Sequence, residues 1–362
     1  MASISTRRCG RFSMKTGDGP SPSGVLGFTR TRAGFGRPRS HLRSGGDQTG
    51  SGHCPLPVFL LWYAPLRMRF ASVFPPMPTP FDHMGEVDTT AIAFNVDKWM
   101  DAGLGGIVAL GTNGESGLLD DDESDQVVAA VRDKVPRDRV LIAGTGREST
   151  RATIAATKRA ASLGADAALV RTPSFFKPQC TPPLLIRHYT AVADASPIPV
   201  LLYSFPAATG VAFSPDSVAR LAEHKNIIGM KESGTDAALF AQFADVVPSS
   251  FAMLAGTGTV FYSDLCLGAV GGILAVAAVA PEICLRLLNA VQKGQHAEAR
   301  QLQKEMAPLA RLVTSGFGVP GLKAALDLAG YKGGNPRPPL APATPEAREQ
   351  IRAELARFVA TV

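Results

Sequence analysis

A lysine stands in a stretch of sequence that otherwise predicts a buried β-strand. The short run IIGMKES, residues 227–233, begins with apolar residues and ends in polar ones. The alternation of a strand places Gly229, Lys231 and Ser233 on one face, while Glu232 points to the other, where we expect a structural role. If the first face looks into a closed barrel, the ammonium of Lys231 loses its water, and desolvation favours the neutral amine. A neutral lysine amine is a nucleophile, so the stretch predicts covalent chemistry.

Three other strand ends carry groups that suit such chemistry. The preceding strand, PVLLYSF, ends near Tyr203, twenty-eight residues before the lysine. An earlier run ends in GTNGES, residues 111–116, whose two glycines allow a tight turn that leaves N–H groups free for a carboxylate. Thr112 adds a hydroxyl to that loop, and a later AGTG turn contains Gly256. Taken alone, each glycine turn is also common at strand ends for conformational reasons.

A repeating pattern of apolar runs and helical segments positions these residues. From residue 70 onward eight apolar runs recur, with segments of helical spacing between them. The runs are FASVF (70–74), GGIVALGT (105–112), VLIAGTG (140–146), AALVRTP (167–173), PVLLYSF (199–205), IIGMKES (227–233), FAMLAGTG (251–258) and GGILAVA (271–277). Eight strand–helix units predict an α/β fold, the TIM (β/α)8 barrel, whose usual size is ~250 residues. The alternative is a doubly wound sheet, but its GxGxxG pattern is missing.

The barrel accounts for only part of the 362 residues. We assign residues 1–67 to a basic N-terminal extension, 68–295 to the barrel and 296–362 to a C-terminal helical extension. The last assignment depends on three amphipathic segments beyond the needs of the eighth unit: AEARQLQKEMAPLARLVT, VPGLKAALDLAG and TPEAREQIRAELARFVA. The 45% of hydrophobic residues is enough for a sizeable core, which excludes a disordered protein.

The N-terminal extension is rich in Arg, Ser and Gly and poor in acidic residues. This composition predicts a mitochondrial transit peptide, although no clear amphipathic helix shows. The alternative is a dispensable or artefactual extension, with translation from Met68 and a cytoplasmic protein. The run LPVFLLWYAPL, residues 56–66, is too short and too interrupted by proline for a membrane span of ~20 residues.

Charge and hydropathy argue against nucleic-acid and membrane partners. Residues 1–70 contain 11 Lys/Arg and 2 Asp/Glu, a net +9, so the remaining 26 basic and 29 acidic residues give the rest of the chain a net −3. The expected folded part therefore lacks a basic signature. The segment LGAVGGILAVAAVAPEICL, residues 267–285, is as long and apolar as a membrane span. Its Gly-Gly, Pro281 and place in the repeat predict a buried strand followed by a helix instead.

The sequence predicts neither a metal site nor a disulfide framework. There is no CxxC pair and no histidine at metal-ligand spacing. We expect free thiols in a reducing compartment. The residues in question are scattered along the chain: Cys9, Cys54, Cys180, Cys266, Cys284, His41, His53, His83, His188, His224 and His296.

Three of the motifs described above, taken together, are specific for one superfamily. GTNGE, LYSFPAATG and GMKES resemble the N-acetylneuraminate lyase and dihydrodipicolinate synthase superfamily of class I pyruvate-type aldolases. The resemblance covers about residues 70–362. Within it, the mitochondrial 4-hydroxy-2-oxoglutarate aldolase branch looks closest, on the segments TPSFF, HYTAVADASPIPVLLYS, GMKESG, LGAVGG and FGVPGLKAALD. It implies a Schiff-base enzyme with no cofactor and no metal, because the iminium itself is the electron sink. It also implies a homo-oligomer, dimer or tetramer, that takes a small 2-keto acid such as pyruvate.

The resemblance further implies roles for individual residues. Lys231 matches the lysine that condenses with the keto group, and Tyr203 matches the tyrosine that shuttles protons. Thr112 matches the hydroxyl that contacts this tyrosine, and the amides of Thr112 and Asn113 match those that bind the C1 carboxylate. Ser233 matches a serine at the far end of the substrate. The predicted catalytic set is thus Lys231, Tyr203 and Thr112, and the predicted substrate-binding set is Thr112, Asn113, Ser233 and Gly256.

Two departures from the family pattern bear on the substrate. The synthase branch has an arginine before the TG of its counterpart to FPAATG, where it binds a second carboxylate, and this chain has Ala208 there. The aldolase branch also lacks that arginine. The loop after strand four carries Phe175 and Phe176 where the family usually has tyrosines, one of which reaches into the neighbouring subunit's proton relay. Phenylalanines can pack across an interface but cannot transfer protons.

These observations predict a class I aldolase that cleaves 4-hydroxy-2-oxoglutarate, or a related 2-keto-4-hydroxy acid, to pyruvate and an aldehyde such as glyoxylate. A second hypothesis is 4-hydroxy-tetrahydrodipicolinate (dihydrodipicolinate) synthase activity, which requires aspartate semialdehyde as co-substrate. A third is a catalytically weak paralogue that binds 2-keto acids as a sensor, and Phe175 with Phe176 motivates it.

Overall fold

The computed structural model describes residues 69–359. The predicted transit peptide, the alternative start at Met68 and the run at 56–66 lie outside these residues. Eight short strands alternate with helices along the described part, and each strand falls within one of the eight apolar runs that predicted it. Their bounds are β1 (Val73–Phe74), β2 (Gly106–Ala109), β3 (Val140–Gly144), β4 (Ala167–Arg171), β5 (Val200–Ser204), β6 (Ile227–Glu232), β7 (Ala252–Ala255) and β8 (Gly271–Ile273).

The strands form one parallel sheet that closes on itself. Its order is β1-β8-β7-β6-β5-β4-β3-β2. The two ends meet because Pro76 pairs with Val108, and the Gly105 N–H donates to the Val73 carbonyl at 3.0 Å. The predicted (β/α)8 barrel is therefore confirmed, and the doubly wound alternative is wrong.

The interior of the barrel is filled by buried side chains from every strand except β6. Strands of a parallel barrel are buried on both faces, which explains why they read as continuous apolar runs rather than as alternating ones. A separate cluster of buried residues fills the space between the sheet and the surrounding helices. The interior cluster consists of Phe70, Phe74, Val108, Val140, Ile142, Ala167, Leu169, Leu201, Tyr203, Ala252, Leu254 and Ile273.

Twelve α-helices occur in the described residues, and several begin at side chains that cap them. Asp88, Ser149, Ser214 and Asp236 each accept hydrogen bonds from the first turn of a helix, and Asp120 forms a capping box with its helix. The helices are α1 (Thr89–Asp101), α2 (Asp121–Lys134), α3 (Thr150–Ser162), α4 (Pro182–Ala195), α5 (Pro206–Thr209), α6 (Pro215–Ala222), α7 (Ala237–Val246), α8 (Phe261–Cys266), α9 (Pro281–Gln292), α10 (His296–Arg311), α11 (Gly318–Leu328) and α12 (Pro345–Val359).

The last three helices, α10 to α12, follow the barrel and are tied back to it. A π-helical turn, Leu312–Gly316, joins α10 to α11. The loop after α11 reaches α1, where Tyr331 stacks on Trp99 with ring centroids 5.6 Å apart. In the same region Asn95 exchanges two 2.8 Å hydrogen bonds with the backbone of Lys332. The C-terminal extension is thus anchored to the first helix of the barrel.

The apolar segment at residues 267–285 is a strand and a helix, as predicted. It contains β8, a 3-10 turn at Ala275–Ala278 and the first part of α9. Across residues 69–359 no helix combines the length and the apolarity needed to cross a membrane. Cys180, Cys266 and Cys284 are free thiols, as expected, and Cys9 and Cys54 lie outside the described residues.

Candidate active site

Three polar side chains form a row at the C-terminal edge of the barrel. In the sheet register Arg171 on β4 pairs with Tyr203 on β5, and Tyr203 pairs with Lys231 on β6. Neighbouring strands lie about 4.8 Å apart, so the row spans three adjacent strands. The C-terminal edge is where barrel enzymes hold their catalytic groups.

Lys231 is a buried cation without an ionic partner. Its residue is 5% exposed, and its Nζ lies 4.2 Å from the centroid of the Tyr203 ring. No carboxylate of the described residues forms a salt bridge with it. An ammonium ion in such a place is costly, since neither water nor a counter-ion compensates for its charge. Lys231 is therefore held at the edge of the barrel against the face of the Tyr203 ring, without a carboxylate partner among the described residues.

The hydroxyl of Tyr203 contacts a residue from the loop after β2. Tyr203 is 4% exposed, and its Oη lies 3.1 Å from Thr112 Oγ1, with either oxygen able to donate. The ring also stacks on Phe205, with centroids 6.1 Å apart. Because strands β2 and β5 are three strands apart in the eight-stranded barrel, this hydrogen bond spans part of the mouth. It creates a short path along which a proton can pass between two hydroxyl groups.

An unusual backbone shapes the loop that carries Thr112. Leu110 and Glu115, which flank the turn, both have left-handed backbones, with φ of 57° and 56°. Gly144 on β3 allows the loop to approach, because a Cβ there would collide with the Leu110 carbonyl oxygen. Inside the turn the Gly114 N–H donates to the Gly111 carbonyl at 3.0 Å. Residues other than glycine seldom adopt positive φ, so surrounding contacts must hold this loop in place.

Glu115 supplies such contacts by reaching into the C-terminal extension. Its carboxylate lies 2.6 Å from Lys323 Nζ, and the two side chains are 1% and 0% exposed. Glu115 Oε2 also accepts the Arg337 N–H at 2.8 Å. Burial lowers the pKa of Lys323, and the adjacent Glu115 carboxylate opposes that effect. The loop of the candidate site and the extension are therefore joined by a buried ion pair.

A cavity of about 390 Å³ opens beside Arg171 and Tyr203 of this row, and Lys231 is not among its lining residues. Tyr203, Thr112 and Arg171 line it together with Ser116 and Phe205. The extension contributes further wall residues, namely Val319, Pro339 and Leu340. The space is large enough for a small keto acid and its aldehyde partner. Asn113, a predicted substrate-binding residue, does not line this cavity, whereas Ser116 from the same loop does.

Ser233 and Gly256 contact each other beside the lysine. A Cβ on Gly256 would collide with Ser233 Oγ and with the Glu232 carbonyl oxygen, so only glycine fits this position on the chain after β7. The Oγ of Ser233 is buried and makes no hydrogen bond to any described residue. Ser233 thus has an unused polar group, and Gly256 provides the space next to it. Neither residue lines the 390 Å³ cavity.

Glu232, the neighbour of the lysine, takes part in a buried pair of carboxyl groups. It is 3% exposed and accepts the Gly234 N–H at 2.6 Å, while Asp264 on α8 is 2% exposed. Burial raises the pKa of Glu232. Burial, with the charge of Glu232 added, raises the pKa of Asp264 to about 8. The pair lies on the outer side of the strand, in agreement with the predicted structural role of Glu232.

The loop after β4 presents two phenylalanines to solvent. Phe175 and Phe176 are 77% and 67% exposed, and their rings make an edge-to-face contact with centroids 5.0 Å apart. Glu148 holds the start of this loop, because it accepts the N–H groups of Ser174 and Phe175 at 2.9 Å each. The structure places an apolar patch next to the mouth of the barrel. No cluster of three or more His, Cys, Asp or Glu side chains that could hold a metal ion occurs within residues 69–359.

Comparison with known proteins places this geometry in a family. The profile described as the dihydrodipicolinate synthetase family matches residues 69–358. The chain belongs to the dihydrodipicolinate synthetase family. It is therefore an enzyme of the carbon–carbon lyase class, and its predicted superfamily is confirmed.

Individual members of the dihydrodipicolinate synthetase family match about four fifths of this chain. A 4-hydroxy-tetrahydrodipicolinate synthase from an Exiguobacterium species is 34% identical over 289 residues, 80% of this chain and 98% of that protein. The solved structure of YagE from E. coli, a prophage protein of this family in complex with pyruvate, is 29% identical with a TM-score of 0.75, and the match covers 79% of this chain and 98% of YagE. A structure described as the first monomeric dihydrodipicolinate synthase variant is 30% identical, with a TM-score of 0.77 and coverage of 82% and 99%.

The sequence analysis did not predict every residue that lines the cavity of this member of the dihydrodipicolinate synthetase family. Arg171 was missed, although strand alternation from Ala167 and Leu169 would have placed it on the inner face. Ser116 and Phe205 were visible only as parts of motifs. The residues from the C-terminal extension had no local signal, since their approach to the cavity depends on how the extension folds back.

Proposed function

We propose that Lys231 forms a Schiff base with pyruvate and that the enzyme makes or breaks the C3–C4 bond of a 2-keto-4-hydroxy acid. The observation that supports this most is the buried, unpaired amine of Lys231 above the ring of Tyr203, whose hydroxyl contacts Thr112. A desolvated amine attacks a keto carbon, and the resulting iminium withdraws electrons from the adjacent C3.

Each chemical step assigns a proton to a group in the site. The Lys231 amine adds to the C2 carbonyl, and loss of water from the carbinolamine gives the iminium. In the cleavage direction Tyr203 removes the proton of the C4 hydroxyl, the C3–C4 bond breaks, the aldehyde leaves, and the electrons move into an enamine. Protonation of C3 and hydrolysis of the iminium release pyruvate. Thr112 relays protons to and from Tyr203, which is the role of a positioned hydroxyl in general acid–base catalysis.

The loop at residues 111–116 is the proposed site for the C1 carboxylate of pyruvate. The Thr112 hydroxyl and the amides of Thr112 and Asn113 are the donors assigned to it. Ser116 lines the cavity close to them and is an additional donor. A carboxylate held by hydroxyl and backbone N–H groups needs no buried cation of its own.

Two aldehyde partners are candidates for the second substrate. The names of the similar proteins favour aspartate semialdehyde, and with it 4-hydroxy-tetrahydrodipicolinate synthase activity. Ala208 favours the smaller glyoxylate, and with it 4-hydroxy-2-oxoglutarate aldolase activity, because the synthase branch has a carboxylate-binding arginine at this position. We give the synthase the first place and retain the aldolase as the second candidate.

Borohydride reduction in the presence of pyruvate tests the shared first step. We expect an irreversible adduct on Lys231, identified by peptide mass spectrometry, and loss of activity in parallel. Lys231→Arg should give no adduct, and labelling of that variant at another lysine would overturn the assignment. Assays with aspartate semialdehyde plus pyruvate, and separately with 4-hydroxy-2-oxoglutarate, then decide between the two candidates.

We also propose that the protein is a homo-oligomer. The exposed pair Phe175 and Phe176 supports this, since two large apolar rings beside an active site are typical of a covered surface. Light scattering on the purified enzyme and on the variant Phe175→Ser with Phe176→Ser measures the state. A monomeric mass for the wild-type protein would contradict the proposal.

A further inference from the structure

Arg171 lies in the wall of the 390 Å³ cavity, where a cation can contact a bound substrate. It is the last residue of β4, and Leu169, two residues before it, belongs to the cluster inside the barrel. By strand alternation Arg171 faces the same way. Its partner in the register is Tyr203, and it lines the 390 Å³ cavity with Tyr203 and Thr112. The stem of Arg171 passes over Gly146, where a Cβ would be 2.8 Å from Arg171 Cγ.

One nitrogen of the guanidinium fixes its direction. Arg171 Nη1 donates to Glu148 Oε1 at 2.9 Å, to the Thr172 carbonyl at 3.1 Å and to Ser174 Oγ at 3.4 Å. Burial alone would raise the pKa of Glu148, but hydrogen bonds from Phe175, Ser174 and Arg171 lower it to about 2. Glu148 is therefore an anion throughout the physiological pH range. It acts as a fixed anchor for the arginine.

The other guanidinium nitrogens remain available to a ligand. Nε and Nη2 of Arg171 make no hydrogen bond to any described residue, and the side chain is 30% exposed. Glu148 shares its charge among several donors, including two backbone N–H groups, so it only partly neutralises Arg171. An arginine with two adjacent free N–H groups is suited to a bidentate contact with a carboxylate.

The rest of the cavity wall supplies no competing cation among the described residues. Ala208, which lines the same cavity, has no polar side chain, and Phe205 presents an aromatic ring. The carboxylate of Glu115, also in the wall, is engaged by Lys323. An anionic group that enters this cavity is therefore attracted to the guanidinium of Arg171.

We propose that Arg171 binds a second carboxylate at the far end of the substrate and so makes the enzyme selective for dicarboxylic 2-keto acids. The inference rests on the proposed Schiff base at Lys231. The order of the row matches the order of atoms in such a substrate: C2 at Lys231, the C4 hydroxyl at Tyr203 and the terminal carboxylate at Arg171. An arginine on β4 thereby replaces, from another wall, the cation that Ala208 does not provide.

Trapping with two keto acids of equal length tests this without requiring turnover. Borohydride reduction is run with 2-oxoglutarate and with 2-oxopentanoate, which differ only in the terminal carboxylate, and the half-saturating concentration of each is measured. We expect the wild-type enzyme to prefer 2-oxoglutarate by about 10- to 100-fold, the range for a charge-assisted hydrogen-bonded pair. Arg171→Leu should remove the preference, and Arg171→Lys should keep part of it.

Controls separate this inference from the proposed function and from folding defects. Pyruvate, which has no second carboxylate, is trapped in parallel, and the half-saturating concentration of each longer keto acid is compared with that of pyruvate for the same protein. Arg159→Leu on α3 removes the same charge outside the cavity and should preserve the preference. A wild-type enzyme that traps pyruvate but does not prefer 2-oxoglutarate overturns this inference alone. A wild-type enzyme that does not trap pyruvate overturns both.

Discussion

The ring and the hydroxyl of Tyr203 contact different neighbours. Its ring lies under the Lys231 amine and against Phe205, while its hydroxyl meets Thr112 from the loop after β2. In the proposed mechanism the ring restricts the position of the amine, and the hydroxyl transfers protons. Because Phe175 and Phe176 cannot transfer protons, the proposed mechanism assigns the proton relay to Tyr203 and Thr112. Substitutions that separate ring from hydroxyl are therefore informative.

Tyr203→Phe retains the ring and deletes the hydroxyl. We expect kcat to fall by about 100-fold or more, the usual contribution of a positioned proton donor and acceptor, with a small change in the KM for pyruvate. Steady-state kinetics measure both. Phe205→Leu, which removes a stacking partner and leaves the hydroxyl, is the control and should reduce kcat by far less. Equal effects of the two changes would contradict the assigned role.

Thr112→Val replaces the hydroxyl by a methyl group of similar size. Tyr203 then loses its described partner, and we expect kcat to fall by about 10- to 100-fold, the equivalent of 1.4 to 2.7 kcal/mol. Thr112→Ser keeps an oxygen at the same place and should recover most of the activity. Failure of the serine variant to recover would show that the methyl group of Thr112, not its hydroxyl, is required.

At the scale of elements, the active-site loop depends on the C-terminal extension. The left-handed backbone at Glu115 orients its carboxylate toward Lys323 on α11, and Arg337 binds both Glu115 and Glu123. Thr79 adds a hydrogen bond to the Gly114 carbonyl at 2.7 Å. Three separate parts of the chain thus hold one turn.

Lys323→Met should destabilise the protein by about 3–5 kcal/mol, because it leaves the carboxylate of Glu115 buried and unpaired. Unfolding in urea, followed by circular dichroism, measures the loss. The double variant Lys323→Met with Glu115→Gln has no buried charge, and we expect it to recover part of that stability. If the double variant is no more stable than Lys323→Met, the ion pair is not the cause.

Some of these elements could be predicted from the sequence and others could not. The strands were predictable because strands that are buried on both faces have continuous apolar sequences. Lys231 was predictable because a lysine is unusual in such a sequence. The position of Ser116 in the cavity wall was not predictable, since it depends on positive φ at Leu110 and Glu115. The partnership of Glu115 with Lys323 was also hidden, because nothing local to either residue indicates which distant segment will meet it.

At the scale of the whole molecule, the buried carboxyl pair links stability to pH. Burial and the charge of Glu232 raise the pKa of Asp264 to about 8, and burial raises that of Glu232. The native state therefore binds more protons than the unfolded chain between about pH 4 and pH 8. The free energy of unfolding should accordingly fall as the pH rises through this interval, and the loss is complete above about pH 8.

Asp264→Asn removes one of the titrating groups and keeps its shape. At pH 5 the variant and the wild-type protein should melt at similar temperatures, whereas at pH 8.5 the variant should melt at a higher temperature. A ΔΔG of 1 kcal/mol moves Tm by about 2–4 °C in domains of 150–250 residues and by less in a larger protein. Differential scanning calorimetry at the two pH values gives the comparison. A difference in Tm that is the same at both pH values would contradict the explanation.

The ion pair between Glu115 and Lys323 also has a consequence for the order of events during synthesis. A nascent chain can complete all eight strands while α11 is still inside the ribosome. Until Lys323 and Arg337 emerge, Glu115 has no partner, and the turn that presents Thr112 lacks its anchor. The newborn barrel is therefore expected to be catalytically silent, and the enzyme becomes competent only when the last part of the described chain folds back onto it.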